Sequence, residues 1–376
     1  MIRLIFGLIG LTLVFTAVVS AQKEAPPAHP ICGTDQAMEK IPHAARQDMI
    51  ASSSVFRASE LLLYLNFNGG MLRPGFGNAE NLTSELVSRP TGCPAPFLTQ
   101  AQKDEIVRLV SDDFSPFNIR VTTDATMFFA YPRNNKEMLI VTTSPQVIGQ
   151  PFGVAGVSPF AGIGFRLPNN IAFAFSSVVG NNPSDVAAVI SHESAHLLGL
   201  GHQHLYSDSC NFLTEYHPGF GSGPLSFAPL MGEGFSRGVN NWFAQSCTDP
   251  FFGVAQNDYE LINSQVEIRA DDFPDTPDGS TIAAERVNGV LERAGDVDFL
   301  RINFKGRGAA TITSNNIDLK VTVLTPGRHV VEEFNDPEST GVTIPLVMGM
   351  RYLKVQAASN ENMSSQFMTG TYRVTY

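Results

Sequence analysis

The chain has 376 residues, 43% of them hydrophobic and only 16% charged, and its formal net charge is −11. Its length suits about two domains, and a chain this apolar buries a core, which excludes global disorder. The acidic balance argues against nucleic acid as a partner, because binding phosphate needs a basic face. The 32 Gly, 24 Pro and 27 Phe point to many turns and a β-rich, aromatic-packed body.

Arg3 opens a short positive start, Leu4 to Val19 is almost purely apolar, and Val19-Ser20-Ala21 supplies small residues before the polar Gln22-Lys23-Glu24. This is the pattern of a secretory signal peptide over residues 1–21, cut after Ala21. The apolar run of about 16 residues falls short of the roughly 20 that a spanning helix needs. The expected product is secreted or periplasmic, has no membrane association after cleavage, and matures where disulfides persist.

Residues 22–58 are Pro-punctuated and read as an N-terminal prosegment with a short helix. Leu61 to Phe67 is a buried-type strand stopped by Asn68-Gly69-Gly70, and a Gly/Pro/Asn-rich loop follows to about Pro96. Thr99 and Gln102 have capping-box spacing ahead of a helix running to Asp113. Strands are expected at Phe117–Thr123, Met138–Thr143 and Ile171–Ser176, with an irregular Gly-rich edge in 152–164. Asn182 with Pro183 starts a helix that stops at Gly199. Residues 207–252 read mostly as loop, and Asn257 opens a short helix to about Val266. An acidic, Pro-broken linker (271–279) then leads into short β-type runs, the pattern of a small sandwich over residues 269–376.

The chemistry concentrates in His192-Glu193-Ser194-Ala195-His196-Leu197-Leu198-Gly199-Leu200-Gly201-His202. His192 and His196 lie one turn apart on one helix face, the spacing at which two imidazoles share a zinc ion. Gly199 lets the chain leave the helix sharply, and the turn returns His202 to the same ion. Three His ligands leave a fourth position open, as catalytic sites do. Glu193 is placed to act as general base on a zinc-activated water, which makes the reaction class metal-assisted amide hydrolysis.

This segment resembles the zinc signature of the metzincin metalloendopeptidases, and the order of elements before it resembles that family's upper subdomain. The resemblance covers roughly residues 60–268. It implies an α+β catalytic domain over residues 59–268, a twisted mixed sheet with an active-site helix, followed by the all-β sandwich. It also implies a Met-turn beneath the metal, for which Met231 in Leu230-Met231-Gly232 is the match. The substrate implied is a protein or peptide lying extended along an edge strand at 152–160. A loop from Gly232 to Trp242, with Phe235, Val239, Trp242 and Phe243, would wall an apolar pocket. Two positions depart from the family pattern: Glu233 stands where some members place a Tyr ligand, and Gln203 follows the third His. The nearest flavour is pappalysin-like or an unassigned subfamily. His204 and His217 are spare.

Four cysteines allow three pairings. Cys210 and Cys247 flank the Met-turn region, where a disulfide would pin a long loop. For Cys32, two readings stand. Ile31-Cys32-Gly33-Thr34 resembles the Cys-Gly switch of some metzincin prosegments, whose thiolate fills the open zinc position in the proform. Alternatively, Cys32 pairs with Cys93.

Residues from about 270 resemble the bacterial pre-peptidase C-terminal β-domain, through Asp271-Asp272, Gly289-Val290-Leu291, Gly295-Asp296-Val297-Asp298-Phe299, Ile317-Asp318-Leu319-Lys320-Val321 and Gly370-Thr371-Tyr372-Arg373-Val374. Asp271, Asp272, Asp296 and Asp298 either offer hard oxygen ligands to Ca²⁺ or are solvated turn acids. The expected activity is that of a secreted zinc metalloendopeptidase. Its rivals are a non-catalytic exported adhesin or binding protein on the same scaffold, and a zinc amidase acting on a non-protein amide.

Overall fold

A computed structural model describes residues 31–32, 57–159, 170–235, 237–249, 253–359 and 368–376. The signal segment 1–21 and the short helix expected within 22–58 lie outside the described residues.

β1 (Ile31–Cys32) and β2 (Leu61–Asn66) belong to a six-stranded sheet. β2 is apolar on both faces, the mark of a strand covered on both sides. Its side chains alternate accordingly. Leu61, Leu63 and Leu65 join one core and Leu62 and Tyr64 another. The Gly/Pro-rich stretch that follows, expected to be loop, instead holds β3 (Gly70–Pro74), β4 (Thr83–Ser84) and β5 (Thr91–Cys93), paired as a small sheet. Its Leu72 and Cys93 help to close the second core, and strands this short carry too few residues to show a period.

α1 (Gln100–Asp113) begins at the anticipated capping box. Thr99 accepts from the Gln102 backbone N–H at 3.3 Å, and the Thr99 N–H donates to Gln102 Oε1 at 2.9 Å. β6 (Ile119–Thr122) leads to α2 (Ala125–Ala130), a helix not anticipated, capped by Asp124 and packed through Phe128, whose ring stacks on Tyr64 at 5.1 Å. β7 (Lys136–Thr142), β8 (Val154–Val157) and β9 (Ile171–Phe175) complete the large sheet.

The strand order is β1-β8-β9-β7-β2-β6. β9, β7, β2 and β6 run parallel, and β8 runs antiparallel to β9. β1 pairs parallel with β8, setting Ile31 opposite Val154 and Cys32 opposite Gly156. The expected edge at 152–160 is therefore β8, and its outer side is taken by β1.

α3 (Pro183–Leu197) packs with α1 on one face of this sheet. Asn182 caps it through the Ser184 N–H at 2.9 Å, Pro183 sits in its first turn, and Gly199 just beyond its end has a φ of +91°. A left-handed residue costs glycine little, which is why the helix stops there and the chain turns back.

Residues 207–252 are less irregular than expected. They hold β11 (Phe212–Thr214), β12 (Phe227–Pro229) and β13 (Val239–Asn241), with β10 (Leu205–Tyr206) pairing β11 and a Cys210–Cys247 disulfide closing the region. α4 (Asp258–Gln265) follows its Asn257 cap.

The C-terminal strands are β14 (Arg286–Leu291), β15 (Val297–Phe304), β16 (Gly308–Thr313), β17 (Leu319–Leu324), β18 (Val330–Phe334), β19 (Val342–Leu346), β20 (Gly349–Ala357) and β21 (Gly370–Thr375). They form two four-stranded sheets, β14-β21-β16-β19 and β15-β20-β17-β18, around one core. The two parts of the chain are tied by polar bonds. Asn241 Nδ2 donates to the carbonyls of Asn316 (2.7 Å) and Thr369 (2.8 Å), and Asn316 Nδ2 donates to that of Asp112 (2.9 Å). Leu225, Phe227 and Val239 enter the sandwich core itself.

Candidate metal site

The side chains of α3 are buried continuously from Val189 to Leu197, so His192, Glu193 and His196 stand inside the protein. Neutral imidazole offers one nitrogen as donor and one as acceptor, and the partner of Nδ1 decides which way the ring faces. The Nδ1–H of His192 donates to the Leu230 carbonyl at 2.8 Å, and that of His196 to the Leu200 carbonyl at 2.7 Å. Nδ1 of His202 faces the Glu215 carboxylate at 3.7 Å. With Nδ1 of each ring turned to these partners, Nε2 points the other way. The ring centroids lie 4.8, 4.9 and 5.1 Å apart.

Cys32 joins them. Its Sγ lies 3.5 Å from His196 Nε2, and one donor atom from each of Cys32, His192, His196 and His202 falls within 4.8 Å of the others. This Cys/His₃ cluster can hold a metal ion. Of the two readings for Cys32, the structure has the thiol at the histidines; Cys32 and Cys93 are not bonded to each other. Cys93 is buried, and burial pushes its thiol up to about 11. The anticipated Cys210–Cys247 disulfide is present.

Glu193 is 1% exposed, and Gly156 of β8 lies directly against it. Met231 is fully buried in the α1/α3 core, and its carbonyl accepts from the Gln203 N–H at 2.8 Å. The turn carrying Met231 is thus bound to the loop carrying His202, while its Leu230 carbonyl orients His192.

Gln203, anticipated only as a departure from a pattern, is a structural keystone. Its Nε2 donates to Asp258 Oδ1 at 2.6 Å. Gln256 Nε2 donates to the same oxygen at 2.8 Å, and the Phe243 N–H donates to Asp258 Oδ2 at 3.0 Å. Gln256 also exchanges hydrogen bonds with Gly201, at 2.9 and 2.8 Å. Burial raises Asp258 to about 7 against these three donors. Sequence reading missed Asp258 and Gln256, because neither lies near the motif; the N-terminal position of Asp258 in a capped helix was the available signal.

The spare histidines are committed elsewhere. His204 meets Asp249 at 3.0 Å and the Glu215 carbonyl at 2.5 Å. His217 accepts from the Gly219 N–H at 2.9 Å, and burial lowers it to about 4. The expected apolar pocket wall is corrected in part. Trp242 is 2% exposed, its ring against Phe114 and its Nε1–H on the Asp113 carbonyl at 2.7 Å, and Val239 is in the sandwich core. These apolar residues read as pocket lining but serve as core, where large side chains bury the most surface.

A second cluster gathers at the start of the sandwich. Carboxylate oxygens of Asp271, Asp272 and Asp298 lie within 4.8 Å of one another, as do those of Asp271, Asp275 and Asp296. Glu292, absent from the sequence reading, is fully buried among these acids. Burial, then the nearby Asp272, Asp296 and Asp298 charges, push it up to about 9. Asp298 rises to about 8 and Asp272 to about 6, again chiefly through burial. The Tyr372 hydroxyl donates to Asp298 Oδ2 at 2.6 Å.

No protein-family profile matches the chain. No curated protein matches it. Among solved structures, the pre-peptidase C-terminal domain of collagenase from Bacillus anthracis is 15% identical over 28% of this chain and 96% of that one, with a TM-score of 0.20. PliG from Aeromonas hydrophila, a periplasmic inhibitor of g-type lysozyme, is 13% identical over 25% of this chain and 90% of that one, with a TM-score of 0.19. The Salmonella Typhimurium PliG is 19% identical over 25% and 92%, with a TM-score of 0.18. Among the described residues, no helix is long and apolar enough to cross a membrane.

Proposed function

We propose that the chain is an exported zinc metalloendopeptidase of the metzincin type, captured with its prosegment thiol on the metal site. The observation that carries this reading is the convergence of Cys32 Sγ with His192, His196 and His202 beside the buried carboxylate of Glu193. One soft thiolate with three imidazoles is a donor set suited to zinc. Tetrahedral bonds of about 2.3 Å to sulfur and 2.0–2.1 Å to nitrogen separate the two donors by about 3.5 Å. The Cys32–His196 distance of 3.5 Å fits that figure.

When bound, zinc supplies Lewis acidity and lowers the pKa of a water. The chain's own residues do the rest. Glu193 takes the proton from the attacking water and passes it to the leaving amine. β8 offers its outer edge to an extended peptide main chain once β1 has left. Leu230, Leu200 and Glu215 hold the three rings in their ligating orientation. Cys32 fills the fourth position and keeps the site silent until residues 22–58 are removed.

The test is a peptide-hydrolysis assay on zinc-loaded full chain, Cys32→Ala and Cys32→Ala/Glu193→Ala. Cys32→Ala is expected to cleave, a chelator to stop it, and the double variant to lose at least about 10²-fold. Chelator-insensitive cleavage, or full activity in the double variant, overturns the reading. One observation favours a second reading: four protein donors make a closed set, the pattern of structural zinc sites. A non-catalytic binding protein is then expected, and Cys32→Ala would keep zinc yet cleave nothing.

For the sandwich, the reading is that Asp271, Asp272 and Asp298, whose oxygens lie within 4.8 Å of one another, hold a Ca²⁺ ion, with the Glu292 carboxyl and Asp296 beside them. The buried carboxyl of Glu292, crowded by Asp272, Asp296 and Asp298, supports it, because ionising it among those acids calls for a cation.

A further inference from the structure

Tyr216 touches both halves of the site. Its ring centroid lies 4.6 Å from that of His202, and its hydroxyl donates to the backbone carbonyl of Cys32 at 3.4 Å. Cys32 is the residue set opposite Gly156 on β8, and Gly156 is the residue against Glu193. The hydroxyl therefore reaches the peptide main chain at the point where the chain crosses the donor cluster.

A backbone carbonyl carries no side-chain identity. A donor aimed at it recognises any extended peptide laid along β8, whatever its sequence. The ring packs on His202, a residue outside the segment that carries Cys32. The same hydroxyl then faces whichever main chain replaces it.

We infer that Tyr216 is the carbonyl-binding residue of this site, gripping the main chain opposite Gly156 in the blocking segment first and in a peptide substrate afterwards. The inference rests on the peptidase reading for its second half only. It also implies a link between latency and turnover: one hydrogen bond contributes both to holding Cys32 in place and to binding substrate.

Tyr216→Phe keeps the ring on His202 and removes only the hydroxyl. In zinc-loaded full chain, iodoacetamide labelling of Cys32, located by peptide mapping, should run about 3–10-fold faster in Tyr216→Phe, with zinc content unchanged. In the Cys32→Ala background, Tyr216→Phe should raise KM for a fluorogenic peptide by about 3–10-fold and leave kcat within about twofold. An unchanged labelling rate overturns the grip on Cys32, and an unchanged KM overturns the grip on substrate. Loss of zinc from Tyr216→Phe overturns both, since the hydroxyl would then be supporting His202. If zinc-loaded Cys32→Ala cleaves no peptide, the peptidase reading falls with the substrate half, and the labelling rate alone decides the rest.

Discussion

Gly156 on β8 lies flat against the side chain of Glu193: a Cβ there would come within 2.5 Å of both Cγ and Oε1. The edge strand and the proposed general base are in van der Waals contact because position 156 has no side chain. Gly156→Ala should therefore displace the Glu193 side chain from Cγ outward, with circular dichroism and zinc content checking that the fold and the donor cluster persist. The moved carboxylate no longer faces the attacking water. Hydrolysis by Cys32→Ala/Gly156→Ala is expected to fall about 10²-fold relative to Cys32→Ala, the scale of an ångström-sized misplacement. Kinetics alongside zinc stoichiometry checks this; equal turnover in the two proteins would contradict the placement.

Asp258 supports His202 from a distance. Asp258→Ala leaves the donors of Gln203, Gln256 and Phe243 without their shared acceptor in a buried site. The expected cost is about 1–3 kcal/mol or more in denaturant unfolding. Zinc affinity, read by competition with a chromogenic chelator, should weaken by about 10–100-fold, as when outer partners of ligands are removed. Asp258→Asn, which retains one acceptor oxygen, should recover part of both losses.

The acidic cluster predicts a pH-dependent stability that calcium abolishes. Without a cation, Glu292, Asp298 and Asp272 sit at about 9, 8 and 6 in the folded protein, above their ordinary values of 4.5, 3.8 and 3.8. The folded state then binds more protons than the unfolded state over this window, so stability falls as pH rises from about 4 to 9. Thermal unfolding in chelator should occur at lower temperature at pH 8 than at pH 5. Added Ca²⁺ should raise the pH 8 transition and leave that of Glu292→Gln much less changed.

Reducing the Cys210–Cys247 disulfide removes a cross-link spanning 37 residues. By the chain-entropy estimate its loss costs about 3–4 kcal/mol. Limited proteolysis of Cys210→Ala/Cys247→Ala should show earlier cleavage near its Cys210 end, around 207–214, where the described residues form only short strands and turns.

Helices α1 and α3 and the three histidines that cluster were legible in the sequence because their signals are local. Thr99 with Gln102 and Asn182 with Pro183 are complete start signals within a few residues, and His192, His196 and Gly199 state a helix face and its end. The small sheet of β3, β4 and β5 and the short α2 were not legible, since their few residues carry no period. The pocket reading for Trp242 and Val239 failed for a related reason: an apolar side chain in a loop looks the same whether it lines a groove or fills a core.

The linear chain by itself determined which residue types stand at ligand spacing, the longer strands of the large sheet with α1 and α3, and which two cysteines flank the long loop. Only the tertiary structure decided what Cys32 faces, because parallel pairing of β1 with β8 brings together residues 164 positions apart. It also decided that Tyr216, Gly156 and Asp258 attend the site and that a buried Glu292 lies near Asp272, Asp296 and Asp298. Ligand spacing follows from the 3.6-residue turn of a helix, which any local sequence declares. A contact across a sheet edge or between two loops depends on the closing of the whole fold, and no local pattern encodes it.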